Sequence, residues 1–488
     1  MALTSEETRV LSGVRTDLYL GGRWTPPASG RTLPVEDPST GEVIAQVADA
    51  TPQEGLEALR IAAEHQGGWA RTAPRERGEI LRRAFELMTA RADDLALLMT
   101  LEMGKPIAES TGEVTYAAEF LRWFSEEAVR VDGRFGLSPA GDSRLMVLKQ
   151  PVGPCLFITP WNFPLAMGTR KIGPAVAAGC TMVVKPAKQT PLSMLALAAI
   201  LAEAGLPDGV LSVLTASSAA ALTGPMLKDS RLRKLSFTGS TQVGRQLVKD
   251  SADQLLRTSM ELGGNAPFLV FEDADLDRAV DGAMLAKMRN MGEACTAANR
   301  FHVHAAVAEE FSRRLAERMS ALTVGRGTEA GVQVGPLIDE AGRAKVEELV
   351  SDAVDRGAKA VAGGARPDGP GYFFPPTVLA GVEPGSRILA EEVFGPVAPI
   401  ATFETDDEAI AAANATEYGL VSYAFTESWA RAMTLVDALE AGMVGLNRGL
   451  VSNPAAPFGG IKQSGFGREG GPEGINEYLD VKYVSSPR

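Results

Sequence analysis

The spacing of apolar residues predicts helices for most of the first 130 residues, after a short β start. Between Glu79 and Met88 the apolar side chains recur at the period of a helix with one buried face. Gly104 and Pro106 mark the end of this helical stretch. This part of the chain is therefore expected to pack one face of its helices on a core.

The pattern changes to alternating strands and helices between Pro151 and Gly244. Helices are predicted for "LAMGTRKIGPAVAAG" and for a stretch that Thr190 can cap and Pro191 can begin. This order predicts a parallel sheet with crossover helices, which binds ligands beyond the carboxyl ends of its strands. The runs typical of buried strands are "PCLFITP", "CTMVVKP", "GVLSVLT" and "KLSFTG". Two candidate functional segments, "TPWNFP" and "KPAKQTP", follow strands at that edge.

A second α/β unit begins near Met260. Its predicted strands are "APFLVF", "RFHVH" and segments around Val378 and Ile400, and its predicted helices include 307–322 and 340–356. Two remaining segments, "VDGRFGLSPAGDSRLMVLKQ" and "GINEYLDVKYVSSPR", fit neither unit. Both are predicted to be β-rich additions whose edge strands suit pairing with another chain.

The composition is that of an ordinary soluble protein with an acidic surface. Of 488 residues, 45% are hydrophobic and 22% are charged, which excludes a disordered, collagen-like or coiled-coil chain. The formal charge of −13 argues against a nucleic-acid partner or an anionic membrane surface, so an anionic ligand would need a local basic pocket. The longest apolar run, "SMLALAAILAEAGL", is shorter than the ~20 residues that span a bilayer. No signal peptide is recognised at the N-terminus, and a cytoplasmic location is expected.

Cysteines and histidines are scarce, which narrows the possible chemistry. Three cysteines are too few for a disulfide framework, and no Cys/His cluster indicates a metal site. Cys155 and Cys180 lie in apolar runs and are expected to be buried and structural. His302 and His304 alternate as on one face of a strand and are expected to be structural or exposed. General-base chemistry would then depend on a carboxylate.

Four segments can carry chemistry. Cys295 lies among small and polar residues in "NMGEACTAANR", where a nearby amide donor or helix N-terminus would favour its nucleophilic thiolate form. Glu261 precedes a Gly-Gly turn in "MELGGNAP", and Asn162 lies between aromatic and proline residues in "TPWNFP". In "FTGSTQVG", Gly239 and Gly244 suit the approach of a phosphate, although the segment matches neither common phosphate-binding motif. Alone, each segment is also compatible with a structural turn or a surface position.

In their order and spacing these segments resemble the aldehyde dehydrogenase superfamily over nearly the whole chain. The resemblance rests on the motifs "TPWNFP", "KPAKQTP", "FTGSTQVG", "MELGGNAP", "GEACTAANR", "EEVFGP" and "PFGGIKQSGFGREG". It implies that Cys295 attacks the aldehyde carbonyl, that the Asn162 amide and the Cys295 N–H bind the oxyanion, and that Glu261 activates water to hydrolyse the thioester. Ala297 stands where some relatives have a second cysteine, so no disulfide with Cys295 is expected.

The resemblance also implies a nicotinamide cofactor. Lys188 stands where many NAD-preferring relatives have Glu, and a lysine there would attract the additional phosphate of NADP. NADP is therefore the expected cofactor with NAD possible, the alternative being a solvated Lys188 that makes no cofactor contact. The residues implied in cofactor binding are Thr159, Pro160, Trp161, Lys185, Lys188, Gly239, Ser240, Gly244, Leu262, Glu392 and Phe394.

Within the family the chain is similar to succinate-semialdehyde dehydrogenases. Arg170, Arg289 and Ser452 match the residues that bind the substrate carboxylate in these enzymes. Glutarate semialdehyde or another aldehyde is an alternative substrate, because one methylene changes binding by only ~1–3 kcal/mol. A cysteine hydrolase or acyltransferase, and a non-enzymatic protein with this fold, are the alternatives from other classes.

The expected architecture is an α/β, aldehyde dehydrogenase-like fold. A Rossmann-like dinucleotide-binding domain is predicted over 1–130 and 148–258, and an α/β catalytic domain over 259–445. Segments 131–147 and 446–488 are predicted to form a small β oligomerisation element with a substrate-pocket loop. The resemblance implies a homodimer or a homotetramer that acts on a small-molecule aldehyde.

Overall fold

The structure, a computed structural model, describes residues 3–488. Its first helix begins at a capping box in which Thr4 and Glu7 each accept the other's backbone amide. The helix predicted between Glu79 and Met88 is confirmed, although a helix precedes the predicted β start. The N-terminal elements are α1 (Ser5–Ser12), β1 (Leu18–Leu20), β2 (Arg23–Thr25), β3 (Thr32–Asp37), β4 (Glu42–Ala48), α2 (Pro52–Trp69), α3 (Pro74–Ala90), α4 (Ala92–Met103) and α5 (Ile107–Glu127).

Strands and helices alternate after residue 154, as the apolar runs predict. The elements of this region are β5 (Arg134–Leu137), β6 (Ser143–Pro151), β7 (Cys155–Ile158), α6 (Ala166–Ala178), β8 (Met182–Lys185), α7 (Leu192–Glu203), β9 (Leu211–Val213), α8 (Ala219–Leu227), β10 (Lys234–Thr238), α9 (Thr241–Ser251), a 3-10 turn (Ala252–Gln254) and β11 (Arg257–Glu261). Cys155 lies in β7 and Cys180 lies just before β8, and both thiols are buried.

The second unit repeats this alternation. Its elements are β12 (Ala266–Val270), α10 (Leu276–Met288), a 3-10 turn (Arg289–Gly292), β13 (Ala298–His304), α11 (Ala305–Ser320), α12 (Glu340–Asp355), β14 (Lys359–Ala362), β15 (Thr377–Ala380), α13 (Arg387–Ala390), β16 (Val397–Phe403), α14 (Asp406–Asn414), β17 (Tyr418–Gly419), β18 (Val421–Phe425), α15 (Trp429–Ala438), β19 (Met443–Leu446), β20 (Ile461–Lys462), β21 (Gly465–Phe466), α16 (Gly471–Asn476) and β22 (Leu479–Pro487).

Two large sheets organise the molecule. The first has the order β2-β1-β9-β8-β7-β10-β11-β21, and its central strands β7 to β11 are parallel. The second has the order β14-β15-β16-β13-β12-β18-β19 and is parallel except for β14. The predicted parallel sheets with crossover helices are confirmed. The predicted boundary between residues 258 and 259 falls inside β11, all of whose residues pair with β10 in the first sheet.

A smaller antiparallel sheet joins the two β-rich segments that are distant in sequence. Strand β22 pairs with β6 over nine residue pairs, and β5 pairs with the other edge of β6. The two segments therefore pair with each other within one chain. The sheet exposes the large apolar side chains Phe135, Leu137, Leu148, Val481 and Tyr483. Strands β20 and β21 also lie in the predicted segment 446–488, but they pair elsewhere. Strand β20 pairs with β17, and β21 pairs with β11.

One predicted cap is wrong. The Thr190 hydroxyl donates to the Trp161 carbonyl and does not cap α7, which begins at Leu192. The first amides of α7, those of Leu192 and Ser193, instead donate to the buried carboxylate of Glu102 at 2.7 and 2.9 Å. A carboxylate from α4 thus stabilises the positive end of α7. Among residues 3–488, no helix is both long enough and apolar enough to cross a membrane.

Candidate active site

A cavity of about 390 Å³ lies where loops from the two large sheets meet. It brings together most of the predicted site residues, although these come from distant parts of the chain. Side chains that the sequence did not single out, including Met167, Glu293, Asp339 and Lys345, complete its wall. The predicted residues that line it are Pro160, Trp161, Asn162, Gly239, Ser240, Glu261, Leu262, Cys295, Glu392 and Phe394.

Cys295 lies in the turn before β13, and its side chain is half-buried in the cavity wall. Burial raises the pKa of the thiol to about 12, and this effect outweighs the opposing influence of Arg170 and Arg289. The free enzyme therefore holds Cys295 as a thiol near neutral pH. Within the described part of the chain, the charged groups that favour the thiolate are the guanidiniums of Arg170 and Arg289.

The backbone around Cys295 is close to the turn that follows Glu261. A Cβ atom added to Gly264 would lie 2.3 Å from the Cys295 carbonyl oxygen, so a residue with a side chain at 264 would displace the backbone of the nucleophile. The Gly-Gly turn therefore allows the two catalytic candidates to approach each other. Within the described residues 3–488, the Cys295 N–H makes no backbone hydrogen bond.

Asn162 presents its side-chain amide in a fixed orientation. Its Oδ1 accepts the Phe163 N–H at 3.1 Å, and its Nδ2 donates to the Glu293 carbonyl at 3.0 Å. A carboxamide nitrogen carries two hydrogens, so one remains for a ligand in the cavity. The predicted oxyanion role requires such a remaining N–H.

Glu261 ends β11 as a buried carboxylate, and neither of its oxygens has a hydrogen-bond partner in the described chain. Burial, reinforced by the nearby Glu469, raises its pKa well above the ordinary value, while Arg170, Lys171 and Arg468 oppose the shift. A carboxylate with a raised pKa is suited to general-base chemistry near neutrality.

Arg170 and Lys171 share one counter-ion. Both pair with the buried carboxylate of Glu469, and the Arg170 Nη2 lies 2.8 Å from Glu469 Oε2. The Arg170 guanidinium also lies 4.0 Å from the centre of the Phe458 ring. Arg170, one of the predicted substrate ligands, therefore shares a buried counter-ion with Lys171 and does not line the cavity.

Arg289 is in a different electrostatic situation. Its guanidinium lies 4.8 Å from the Phe163 ring centre and 5.4 Å from that of Tyr116, and in residues 3–488 it makes no ion pair or hydrogen bond. The charge of Arg289 influences the Cys295 thiol. Ser452, the third predicted substrate ligand, is half-buried in the loop between β19 and β20. Neither arginine lines the 390 Å³ cavity, and of the two it is Arg289 that has no ion pair among residues 3–488.

Two lysines follow β8 at the carboxyl edge of the first sheet. Lys185 is buried, and burial together with repulsion from Lys188 lowers its pKa to about 8. Lys188 is exposed. Neither lysine lines the 390 Å³ cavity. The repulsion between their ammonium groups shows that the electrostatic potential beside the end of β8 is positive. A phosphorylated ribose fits such a field, because an anion would stabilise both ammonium groups.

The segment around Glu392 forms the opposite wall. Glu392 Oε1 accepts the Gly264 N–H at 3.1 Å, and burial raises the pKa of this carboxyl to about 7. The ring of Phe394 meets the Trp161 ring edge-on with centroids 5.4 Å apart. These contacts, with both aromatic side chains on the cavity wall, fit a flat nicotinamide and its ribose.

The glycine-rich segment places Gly239 and Ser240 on the cavity wall but not Gly244. The Gly239 N–H donates to the Glu261 carbonyl at 3.1 Å, and the Ser240 hydroxyl caps α9 by accepting the Val243 N–H. Gly244 lies inside α9 away from the cavity, and a Cβ there would lie 2.4 Å from Leu262. Close packing between the helix and this neighbouring leucine therefore explains Gly244. Thr159 is buried behind the cavity wall.

Several buried residues of the site were not predicted from the sequence. Lys105, Glu113 and Asn290 contact Asn162 or the segment that follows it, and Lys171 and Glu469 surround Glu261. Each partner is far away in sequence, so local patterns gave no signal. In the sequence, the two charged residues Arg170 and Lys171 stand within a mostly apolar helix. That feature could have indicated buried polar partners near the site.

The chain was compared with known proteins. Residues 24–484 match the model of the aldehyde dehydrogenase family. The chain belongs to this family. It is an α/β oxidoreductase that acts on an aldehyde with a nicotinamide dinucleotide.

Three similar proteins span nearly the full length of this aldehyde dehydrogenase. It is 61% identical to a succinate-semialdehyde dehydrogenase from Paenarthrobacter nicotinovorans, over 91% of this chain and 98% of that protein. It is 49% identical to a glutarate-semialdehyde dehydrogenase from Pseudomonas putida, over 96% and 97% of the two chains. An NADP-dependent enzyme from E. coli superimposes with a TM-score of 0.96 at 46% identity, covering 99% of each chain.

The raised pKa of Cys295 predicts how the free enzyme is alkylated. Because only the thiolate reacts, inactivation by iodoacetamide without cofactor should accelerate about tenfold per pH unit between pH 7 and 10. The measurement is the pseudo-first-order rate of activity loss, with mass spectrometry of the labelled peptide. Buried Cys155 and Cys180 provide the internal control and should remain unlabelled. A rate that levels off below pH 9 would contradict the assignment.

Proposed function

We propose that this aldehyde dehydrogenase oxidises succinate semialdehyde to succinate, with NADP as the preferred cofactor. The observation that supports this substrate most directly is the uncompensated guanidinium of Arg289, which acts electrostatically on Cys295. The rings of Phe163 and Tyr116 lie over the faces of the Arg289 guanidinium. Its N–H donors can bind a carboxylate at the far end of a short aldehyde. The 61% identical relative carries the name of the same reaction.

The first step is addition of Cys295 to the aldehyde carbonyl. Because the resting thiol is protonated, its proton must leave as the sulfur attacks, and Glu261 is the nearby carboxylate with two unpaired oxygens. The Asn162 amide and the Cys295 N–H stabilise the oxyanion of the resulting thiohemiacetal. Loss of one such donor typically costs ~3 kcal/mol in the transition state.

The second step is release of the acid. A bound nicotinamide would supply the acceptor for the hydride that leaves the thiohemiacetal carbon, which would leave Cys295 as a thioester. Glu261 removes a proton from water, which attacks the thioester carbonyl and frees the thiol. The same donors stabilise the second oxyanion. Glu392, Phe394 and Trp161 would hold the nicotinamide ribose and ring, and Lys185 and Lys188 would hold the adenosine end.

Glutarate semialdehyde is the second candidate substrate. The 49% identity to a glutarate-semialdehyde dehydrogenase supports it, and both substrates present an aldehyde and a carboxylate. They differ by one methylene, which is worth only ~1–3 kcal/mol. A series of aldehyde acids with increasing chain length, compared by kcat/KM, decides between them.

The Arg289 assignment predicts a loss of discrimination between charged and neutral aldehydes. In Arg289→Gln, the ratio of kcat/KM for succinate semialdehyde to that for butanal should fall by roughly tenfold to a hundredfold, because a charge-assisted hydrogen bond is lost. Removing Arg289 also disfavours the Cys295 thiolate, which slows the reaction of both substrates. The ratio of the two kcat/KM values cancels this common effect and is therefore the readout. Arg122→Gln, on the exposed surface of α5, is the control. An unchanged ratio in Arg289→Gln would refute the carboxylate site.

Cofactor preference is tested at Lys188. Lys188→Glu should lower the NADP/NAD ratio of kcat/KM by at least about tenfold, because the carboxylate repels the extra phosphate and can accept the ribose hydroxyl groups. Steady-state rates with both cofactors at a saturating aldehyde concentration measure this ratio. Lys228→Glu changes another exposed lysine and should leave it unaltered. If Lys188→Glu retains the original ratio, Lys188 does not contact the cofactor.

We infer that the protein is a cytoplasmic homodimer or homotetramer. A reducing location suits its three free thiols, and the exposed apolar side chains of the β5-β6-β22 sheet favour burial against a second copy. Combining Phe135→Lys with Val481→Lys should reduce the sedimentation mass toward that of one chain. Leu255→Lys alters an even more exposed apolar residue outside this sheet and should not change the mass. An unaltered mass in the double variant would exclude the sheet as the interface.

A further inference from the structure

Asn162 is held by buried polar groups that the proposed mechanism does not use. Lys105 follows α4 and is fully buried; its ammonium lies 2.5 Å from the Glu113 carboxylate and donates to the Asn162 carbonyl at 2.8 Å. Asn290 donates to the same carbonyl at 3.0 Å and to the Glu293 carbonyl at 2.9 Å. One backbone carbonyl therefore accepts hydrogen bonds from two buried donors.

Glu113 extends this contact to the start of α6. Its second oxygen accepts the N–H groups of Leu165 and Ala166 at 2.9 and 3.1 Å. Through Lys105, the same carboxylate also acts on Asn162. The ion pair thus holds both ends of the five-residue segment that carries the oxyanion donor.

The side-chain amide of Asn162 takes its orientation from the two backbone segments that this network joins. Oδ1 is bonded to the next residue of its own segment, and Nδ2 to the Glu293 carbonyl on the Cys295 segment. Asn290 bridges these segments through the carbonyls of Asn162 and Glu293. A shift of either segment would therefore turn the remaining amide hydrogen away from the oxyanion position.

Burying a lysine and a glutamate is costly, and an apolar pair of similar volume would often stabilise a core equally well. This ion pair has a further consequence, because its ammonium donates a hydrogen bond directly to the backbone carbonyl of Asn162. We propose that Lys105 and Glu113, together with Asn290, are positioning residues that keep the Asn162 amide aimed at the oxyanion. This inference rests on the oxyanion role proposed for Asn162.

The test is a double-mutant cycle. Lys105→Met combined with Glu113→Gln removes both charges at similar volume, and the pair is examined with and without Asn162→Ala. In the otherwise unaltered enzyme, kcat for cofactor-independent hydrolysis of p-nitrophenyl acetate and for aldehyde oxidation should fall on the order of tenfold to a hundredfold, with KM for NADP unchanged. In the Asn162→Ala background the same pair should cause no further loss, because the residue it positions is already absent.

Two further variants separate positioning from folding. Lys234→Met with Glu477→Gln neutralises another buried lysine and its glutamate partner, 3.7 Å apart, at the start of β10 away from the cavity-lining Thr238, and any effect on kcat should be the same with and without Asn162→Ala. Asn290→Gly keeps the positive φ of residue 290 but removes its two hydrogen bonds, so it tests the same coupling if the charge-free pair does not fold. Rates are normalised to the folded fraction.

The outcomes distinguish the inference from the function on which it depends. Loss in the unaltered background and none after Asn162→Ala supports positioning. Equal losses in both backgrounds, or no loss in either, overturn it. If Asn162→Ala itself leaves both activities intact, the proposed oxyanion role is wrong, and the positioning inference is overturned with it.

Discussion

The shared carboxylate of Glu469 is the interaction on which the charge balance of the site depends. It pairs with both Arg170 and Lys171, two adjacent cations buried in α6, so its single negative charge offsets one of their two positive charges and weakens their attraction for Glu261. Glu261 therefore remains a buried carboxyl with high proton affinity and unbonded oxygens. Without Glu469, two unpaired buried cations would stabilise the ionised form of Glu261 and weaken it as a base.

The same burial acts on the nucleophile. Cys295 and Glu261 share one cavity, and desolvation favours the neutral form of each. Two neighbouring anions are thus avoided in the resting enzyme, and the Glu261 carboxylate, when ionised, accepts the thiol proton as the sulfur adds to the carbonyl. A protonated thiol is also slow to oxidise, because the thiolate is the reactive form. The site combines a stable resting state with a nucleophile that becomes reactive only when its proton has an acceptor.

Much of the fold follows from local patterns, because a buried parallel strand is a short apolar run with turn residues after it. Cys295, Glu261 and Asn162 could be named because their motifs are contiguous in sequence. Long-range polar contacts could not: Glu102 caps a helix that begins 90 residues later, in place of the predicted Thr190. Likewise, nothing near Arg170 in sequence indicates its pairing with Glu469, and nothing near Lys105 indicates its bond to Asn162.

One short backbone segment fixes the separation of Arg289 from Cys295. Arg289 and Cys295 lie six positions apart, and between them Asn290, Met291 and Gly292 all have positive φ. Left-handed conformations are unfavourable for residues with a side chain, so this turn persists only where surrounding contacts determine it. Here they do: a Cβ on Gly292 would meet the Gly395 carbonyl oxygen at 2.2 Å, and Asn290 is bonded to two carbonyls. Nucleophile and cation consequently move as one unit. Under the carboxylate role proposed for Arg289, a longer aldehyde acid would have to bend, since the distance it spans does not adjust, and the Tyr116 and Phe163 rings that pack on the guanidinium would select chain length.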